Sequence, residues 1–235
     1  MAEQTKFEEY LNAISHGIGA FLGLIGLALL ISYDTSKTAW SLFSVIVYGI
    51  SIIILFTAST LYHAVSNPRQ KHYYRIIDHI SIYLLIAGTY TPILLITLED
   101  SIGWILFCIM WGLALIGMIL KLFYTGRFEI FSTLLYLIMG WMIVFDFTAL
   151  SDSVPSEAIL WLFAGGLFYT VGIIFYAIHR IPYNHVIWHF FVFAGAISHF
   201  IMILYFLIYK ISTLFWLYLF QNTHRPQIFL CFFIA

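Results

Sequence analysis

Seven long apolar runs constrain this 235-residue chain more than any other feature. They lie near residues 14–33, 40–63, 76–97, 102–123, 130–150, 158–178 and 186–209. Each approaches the roughly 20 residues that a helix needs to cross a hydrocarbon core about 30 Å thick. Hydrophobic residues make up 63% of the chain and charged residues 9%, against roughly 45–50% and about 25% in an ordinary soluble domain. No single water-soluble core can hide that much apolar surface. The runs lack the alternation of a barrel strand, and lipid tolerates no irregular exposed backbone, so each run is predicted to be a helix. The predicted fold class is an all-α integral membrane protein, a seven-transmembrane helix bundle forming one domain over 1–209.

Residues 210–235 fit this scheme poorly, because the apolar stretches 211–220 and 228–235 are each too short to span. An unbroken helix over 186–220 would be on the order of 50 Å long, so this tail is expected to break or leave the bilayer. The amino end is also informative. Glu3, Glu8 and Glu9 with only Lys6 do not make the basic start of a cleavable signal peptide, so the first run reads as a permanent helix. The net charge is −1 and the ten Lys and Arg are scattered, which argues against nucleic acid as a partner. Cys108 and Cys231 cannot form a disulfide framework or a four-thiolate metal site.

Basic residues orient the bundle. With the amino terminus in the cytoplasm, Lys6, Arg69, Lys71, Arg75, Lys121, Arg127 and Arg180 fall inside, while Lys37, Lys210 and Arg225 fall outside. Seven against three predicts an amino terminus inside and a carboxyl terminus outside, with the loop over 64–75 giving the strongest bias.

Titratable side chains in hydrocarbon are costly, so their positions point to function. His16, His63, Asp78, His79, His185 and His189 all fall at the cytoplasmic ends of their runs in this topology. His185 and His189 are four apart and share one helical face, the arrangement by which two imidazoles of one helix reach a single ion. Ser59 and His63 repeat the spacing. A third histidine from another helix would complete the three-ligand, one-open-position pattern of catalytic zinc, with Asp78 near enough in depth to hold water. On spacing alone, the same histidines read equally well as interfacial side chains. His199 lies about 15 Å along the helix from His189, too far for the same ion, and is expected to pack within the bundle. No phosphate loop, no His-Glu-x-x-His helix and no Schiff-base lysine in the seventh run is present.

Several stretches also resemble a known family. They are EEYLNAISHGIG with Glu9, Asn12, His16 and Gly17; STLYH with Ser59 and His63; Asp78, His79 and Ser81; AGTYTP ending at Pro92; and HVIWHFFVFAGAISH from His185 to His199. In this order they are similar to the hemolysin III family, the bacterial branch of the progestin and adipoQ receptors, which include the adiponectin receptors. The resemblance covers roughly residues 7–209 and leaves the tail uncovered. It implies a zinc ion near the cytoplasmic side, held by His63, His185 and His189. It also implies that Asp78 positions a zinc-bound water and that Ser59 belongs to the same polar cluster. Wider relatives hydrolyse lipid amides such as ceramides, and the bacterial members carry a name that implies lysis of cells.

Two functions follow as expectations. The first is a zinc-dependent hydrolase of a membrane lipid amide or ester in the bacterial plasma membrane, with Asp78 and Ser59 as catalytic residues. The second is a noncatalytic protein, either a sensor with structural zinc or a cytolysin. A pore needs polar lining along its whole length, whereas polar groups here gather at one end.

Overall fold

The computed structural model describes residues 4–178 and 180–208, and no strand occurs among them. The helices are α1 (Lys6–Ser32), α2 (Ser41–Ala64), α3 (Pro68–Pro92), α4 (Gly103–Tyr124), α5 (Glu129–Gly140), α6 (Phe147–Ser153), α7 (Ser156–Ala177) and α8 (Asn184–Ile201). π-helical turns extend α3 over Ile93–Thr97 and α8 over Met202–Ile208. A short 3-10 segment, Met142–Asp146, joins α5 to α6. Counted as membrane spans these make seven, the fifth being Glu129–Ser153 and the last Asn184–Ile208. The expected all-α, seven-helix membrane bundle is therefore observed. The expectations for the tail, including Lys210, Arg225 and Cys231, lie outside the described residues.

Two spans begin earlier than hydropathy predicts, because local capping starts them before the apolar run does. Thr5 accepts from the Glu8 amide at 3.2 Å while the Glu8 carboxylate accepts from the Thr5 amide at 2.8 Å, a reciprocal cap that starts α1 at Lys6. The stretch read as a loop over 64–75 is helical from Pro68. Asn67 accepts from the amides of Arg69 and Gln70 at 3.0 and 3.2 Å, and Pro68 occupies the first turn, where its missing N–H costs nothing. Glu9 and Lys71 consequently sit on helices, at fixed positions.

Neighbouring helices pack in sequence from α1 to α4, α7 packs on α8, and α8 returns to α1 to close the ring. The second, third and seventh spans are the inner ones: 56, 67 and 50% of their most apolar stretches is buried inside the protein, against 28% or less for the other four. These three carry most of the polar residues singled out above. Gly88 lets α3 approach α2, since a Cβ there would overlap the Ser51 side chain.

The fifth span, expected near 130–150, is observed as Glu129–Ser153 but is not one continuous α-helix. It breaks after Gly140, where the buried Tyr90 of α3 compensates. Its hydroxyl donates to the Gly140 carbonyl at 2.8 Å and accepts from the Ile143 amide at 3.1 Å, which satisfies backbone groups that lipid could not. At Pro92 the missing N–H interrupts the α-helical ladder, and a π-helical turn follows.

Candidate metal centre

The last turn of α2 and the first turns of α8 meet at one end of the bundle. α8 is pinned there by Asn184, whose side-chain amide donates to the Phe175 carbonyl at the end of α7 at 3.0 Å. His185 and His189 then project from one face of α8 toward His63. Ring centroids lie 5.1 Å apart for His63 and His185, 4.9 Å for His63 and His189, and 4.7 Å for His185 and His189. One nitrogen from each ring lies within 4.8 Å of the others, close enough for the three to hold a metal ion. His63 and His189 are buried and His185 is half-buried.

The nitrogens themselves fit a cation. Nε2 of His63 and Nδ1 of His189 are buried without a hydrogen-bond partner, and leaving such a group unpaired costs about 1–3 kcal/mol. A metal ion satisfies an imidazole lone pair directly. The other nitrogen of His63 is engaged: Nδ1 lies 2.7 Å from Oε2 of Glu9 on α1. The second Glu9 oxygen accepts from Lys71 Nζ at 2.7 Å. On the far side of His189, the His16 ring stacks in parallel, with centroids 3.6 Å apart and planes 11° from parallel.

Ser59 lies one turn before His63 on the same buried face of α2. Across from it, the half-buried Asp78 carboxyl has the Ser59 hydroxyl as a hydrogen-bond neighbour and the Arg75 guanidinium as a charged one. His79, adjacent in sequence, points elsewhere because successive helical residues differ by about 100°. Its Nδ1 lies 3.9 Å from Glu129, which also pairs with Lys121 at 2.7 Å and Arg75 at 3.6 Å. His199 is distant from the triad as expected, with Nε2 3.1 Å from the Leu162 carbonyl.

The sequence reading missed the part played by α1. Glu9, Asn12 and His16, spaced three and four apart, share one helical face, and this spacing was available as a signal. It carried little weight because the first helix was started at residue 14, beyond Glu9 and Asn12.

These features define a multi-pass, all-helical membrane protein with a buried histidine cluster able to hold a metal ion. The chain belongs to the family described as Haemolysin-III related, whose pattern matches residues 4–200. It is 43% identical over 211 residues to Hemolysin-3 of Bacillus cereus, covering 88% of this chain and 96% of that protein. It is 42% identical over 200 residues to the Hemolysin-3 homolog of Bacillus subtilis (strain 168), covering 85% and 94%. The human Monocyte to macrophage differentiation factor is 28% identical over 206 residues, covering 83% of each.

Proposed function

We propose that the protein is a zinc-dependent hydrolase of membrane lipid amides or esters. The observation that carries this reading is the position of the histidine triad beside an apolar cavity inside the bundle. The cavity, about 110 Å³ in volume, is lined by Tyr136, Tyr176 and Trp188 at one end and by Trp141, Gly166 and His199 at the other. Tyr176 is one ring from the triad, its centroid 6.3 Å from that of His185. The triad does not itself line the cavity, and an acyl chain lying there would reach the histidines past the Tyr176 ring.

The donor set suits zinc, since imidazole favours it over magnesium or calcium, and three protein ligands leave a position open. The chemistry a zinc ion supplies there is Lewis acidity, polarising a carbonyl and lowering the pKa of water to about 7. His63, His185 and His189 hold the ion. Asp78 is the proton acceptor, a short carboxylate oriented by the Ser59 hydroxyl. Ser59 is also placed to donate to charge developing on the carbonyl oxygen. Tyr136, Tyr176 and Trp188 keep water from the acyl chain.

The basic-residue count supports an amino terminus in the cytoplasm and a metal site near the cytoplasmic face of a bacterial plasma membrane, where water reaches the triad while lipid enters from the bilayer. Reporter fusions at Asn67 and Glu99 test this: Asn67 is expected inside and Glu99 outside, and an outward Asn67 overturns the orientation. Turnover is tested with purified protein in liposomes containing a ceramide-like lipid. Wild type is expected to release fatty acid, while Asp78→Asn keeps its zinc and releases none. If wild type loaded with zinc releases no fatty acid from amide or ester lipids, the noncatalytic sensor takes the place of this reading. Full turnover by Asp78→Asn removes Asp78 from the mechanism.

A further inference from the structure

Helix α1 contributes no member of the triad, yet one of its faces is directed at it. The side chain of His63 is fully buried, and its Nδ1 lies 2.7 Å from Glu9 Oε2. A neutral imidazole carries one N–H, and a carboxylate can only accept, so the proton sits on Nδ1 and the Nε2 lone pair is left free. Nε2 is the atom that is buried without a partner. Glu9 is held in turn: Lys71 Nζ donates to its other oxygen at 2.7 Å and to the Tyr62 carbonyl at 3.3 Å. One carboxylate therefore ties the end of α2 to the starts of α1 and α3.

We propose that Glu9 is a positioning residue of the metal site, its carboxylate fixing the tautomer and ring orientation of His63 and setting a negative charge behind the cation. The inference rests on the metal-site reading above. An ordinary interhelical ion pair accounts for the contact between Glu9 and Lys71, whose side chains are 21 and 27% exposed, but not for the second oxygen on a fully buried ring. Metal-ligating histidines commonly donate their other N–H to a carboxylate, and removing that partner weakens metal binding by about 10–100-fold. His16 complements this on the other ligand. Its ring fills the space between His189, stacked at 3.6 Å, and Phe56, edge-on at 4.9 Å, and so restricts rotation of the His189 ring.

The test measures zinc affinity in detergent-purified protein by competition with a chelator, for wild type, Glu9→Ala, Glu9→Gln and Glu8→Ala. Glu9→Ala is expected to weaken binding by about 10–100-fold. Glu9→Gln is expected to weaken it less, since the amide oxygen still accepts from Nδ1–H but brings no charge. Glu8→Ala loses a capping partner of Thr5 on the same turn but leaves the Glu9 contacts in place, and is expected to weaken binding far less than Glu9→Ala does. Cobalt(II) loading gives a second readout: the visible spectrum is expected to change in Glu9→Ala, while the unfolding temperature of the metal-free protein does not. If Glu9→Ala does not fold, Glu9→Gln decides the question through the same affinity and spectrum. Wild type that binds zinc alongside a Glu9 variant with unchanged affinity and cobalt spectrum overturns the inference and leaves the metal site standing. Wild type that binds no zinc overturns both.

Discussion

Two polar clusters meet at Arg75 and Asp78 of helix α3, and they are built on different principles. Around Glu129 the charges answer one another: Lys121, only 1% exposed, donates to one carboxylate oxygen at 2.7 Å. Arg75 and the Gly126 amide approach the other oxygen at 3.6 and 3.1 Å. Such a network is what an ionisable residue at a membrane helix end requires: its charges have counter-charges, although Arg75 Nε and His79 Nδ1 are left without a hydrogen bond. The histidine cluster differs. Three imidazoles face one another with no carboxylate among them, and two of their nitrogens have no partner. The difference teaches that neither polarity in the bundle nor a single unpaired atom indicates a site, since Arg75 Nε and His79 Nδ1 are unpaired too; three convergent imidazoles with no counter-charge between them do. Asp78 belongs to both clusters, with Arg75 on one side and Ser59 on the other.

The comparison is sharpened by substitutions that separate metal loss from loss of stability. The largest effect is expected at the triad: His63→Ala, His185→Ala and His189→Ala each remove most of the roughly one zinc per chain expected of a three-histidine site. Elemental analysis of protein purified without chelator measures this, and full occupancy in all three variants removes the site. The metal-free variants should unfold close to wild type, because the Glu9 carboxylate, which loses a partner in His63→Ala, keeps Lys71.

Glu129→Gln should behave in the opposite way. It leaves the Lys121 ammonium buried without its counter-charge, and breaking a buried pair costs about 3–5 kcal/mol. Because the Glu129 side chain is itself 30% exposed, the low end of that range is expected. Thermal unfolding in detergent reads the loss, and zinc stoichiometry should stay at the wild-type value. A Glu129→Gln variant that loses zinc but not stability would mean that the two clusters are one.

Much of this was legible in the sequence for a physical reason. A bilayer imposes one length and one secondary structure on an apolar run, so seven runs imply seven helices. Histidine spacing of four on one helix carries into space directly, which is why His185 and His189 needed no structure to be paired. His63 depends on the packing of α2 against its neighbours, and only the depth common to helix ends and the resemblance pointed to it. Hydropathy does not register a cap, because Thr5, Glu8 and Asn67 are polar residues outside the apolar runs. The early starts of α1 and α3 were therefore missed, and with them the contacts of Glu9 and Lys71. The break in the fifth span was hidden as well. Gly140 alone is a weak signal, and the tyrosine that stabilises the break comes from α3, 50 residues away in sequence.

The smallest expected effect tests whether the caps matter to the metal site. Thr5 is exposed and touches no ligand, and Thr→Ala at such a cap costs about 1 kcal/mol. That loss falls on the first turn of α1, which carries Glu8 and Glu9, and not on the packed body of the helix. Thr5→Ala should therefore leave the unfolding temperature nearly unchanged, yet weaken zinc binding by less than Glu9→Ala does, since the turn frays only part of the time and Lys71 still holds the carboxylate at 2.7 Å when it is formed. The same substitution should not alter the Glu129 cluster, because no atom of α1 reaches it through an ion pair among the described residues. A zinc affinity lowered as far as in Glu9→Ala would show that the cap, and not the contact with Lys71, is what keeps Glu9 against His63.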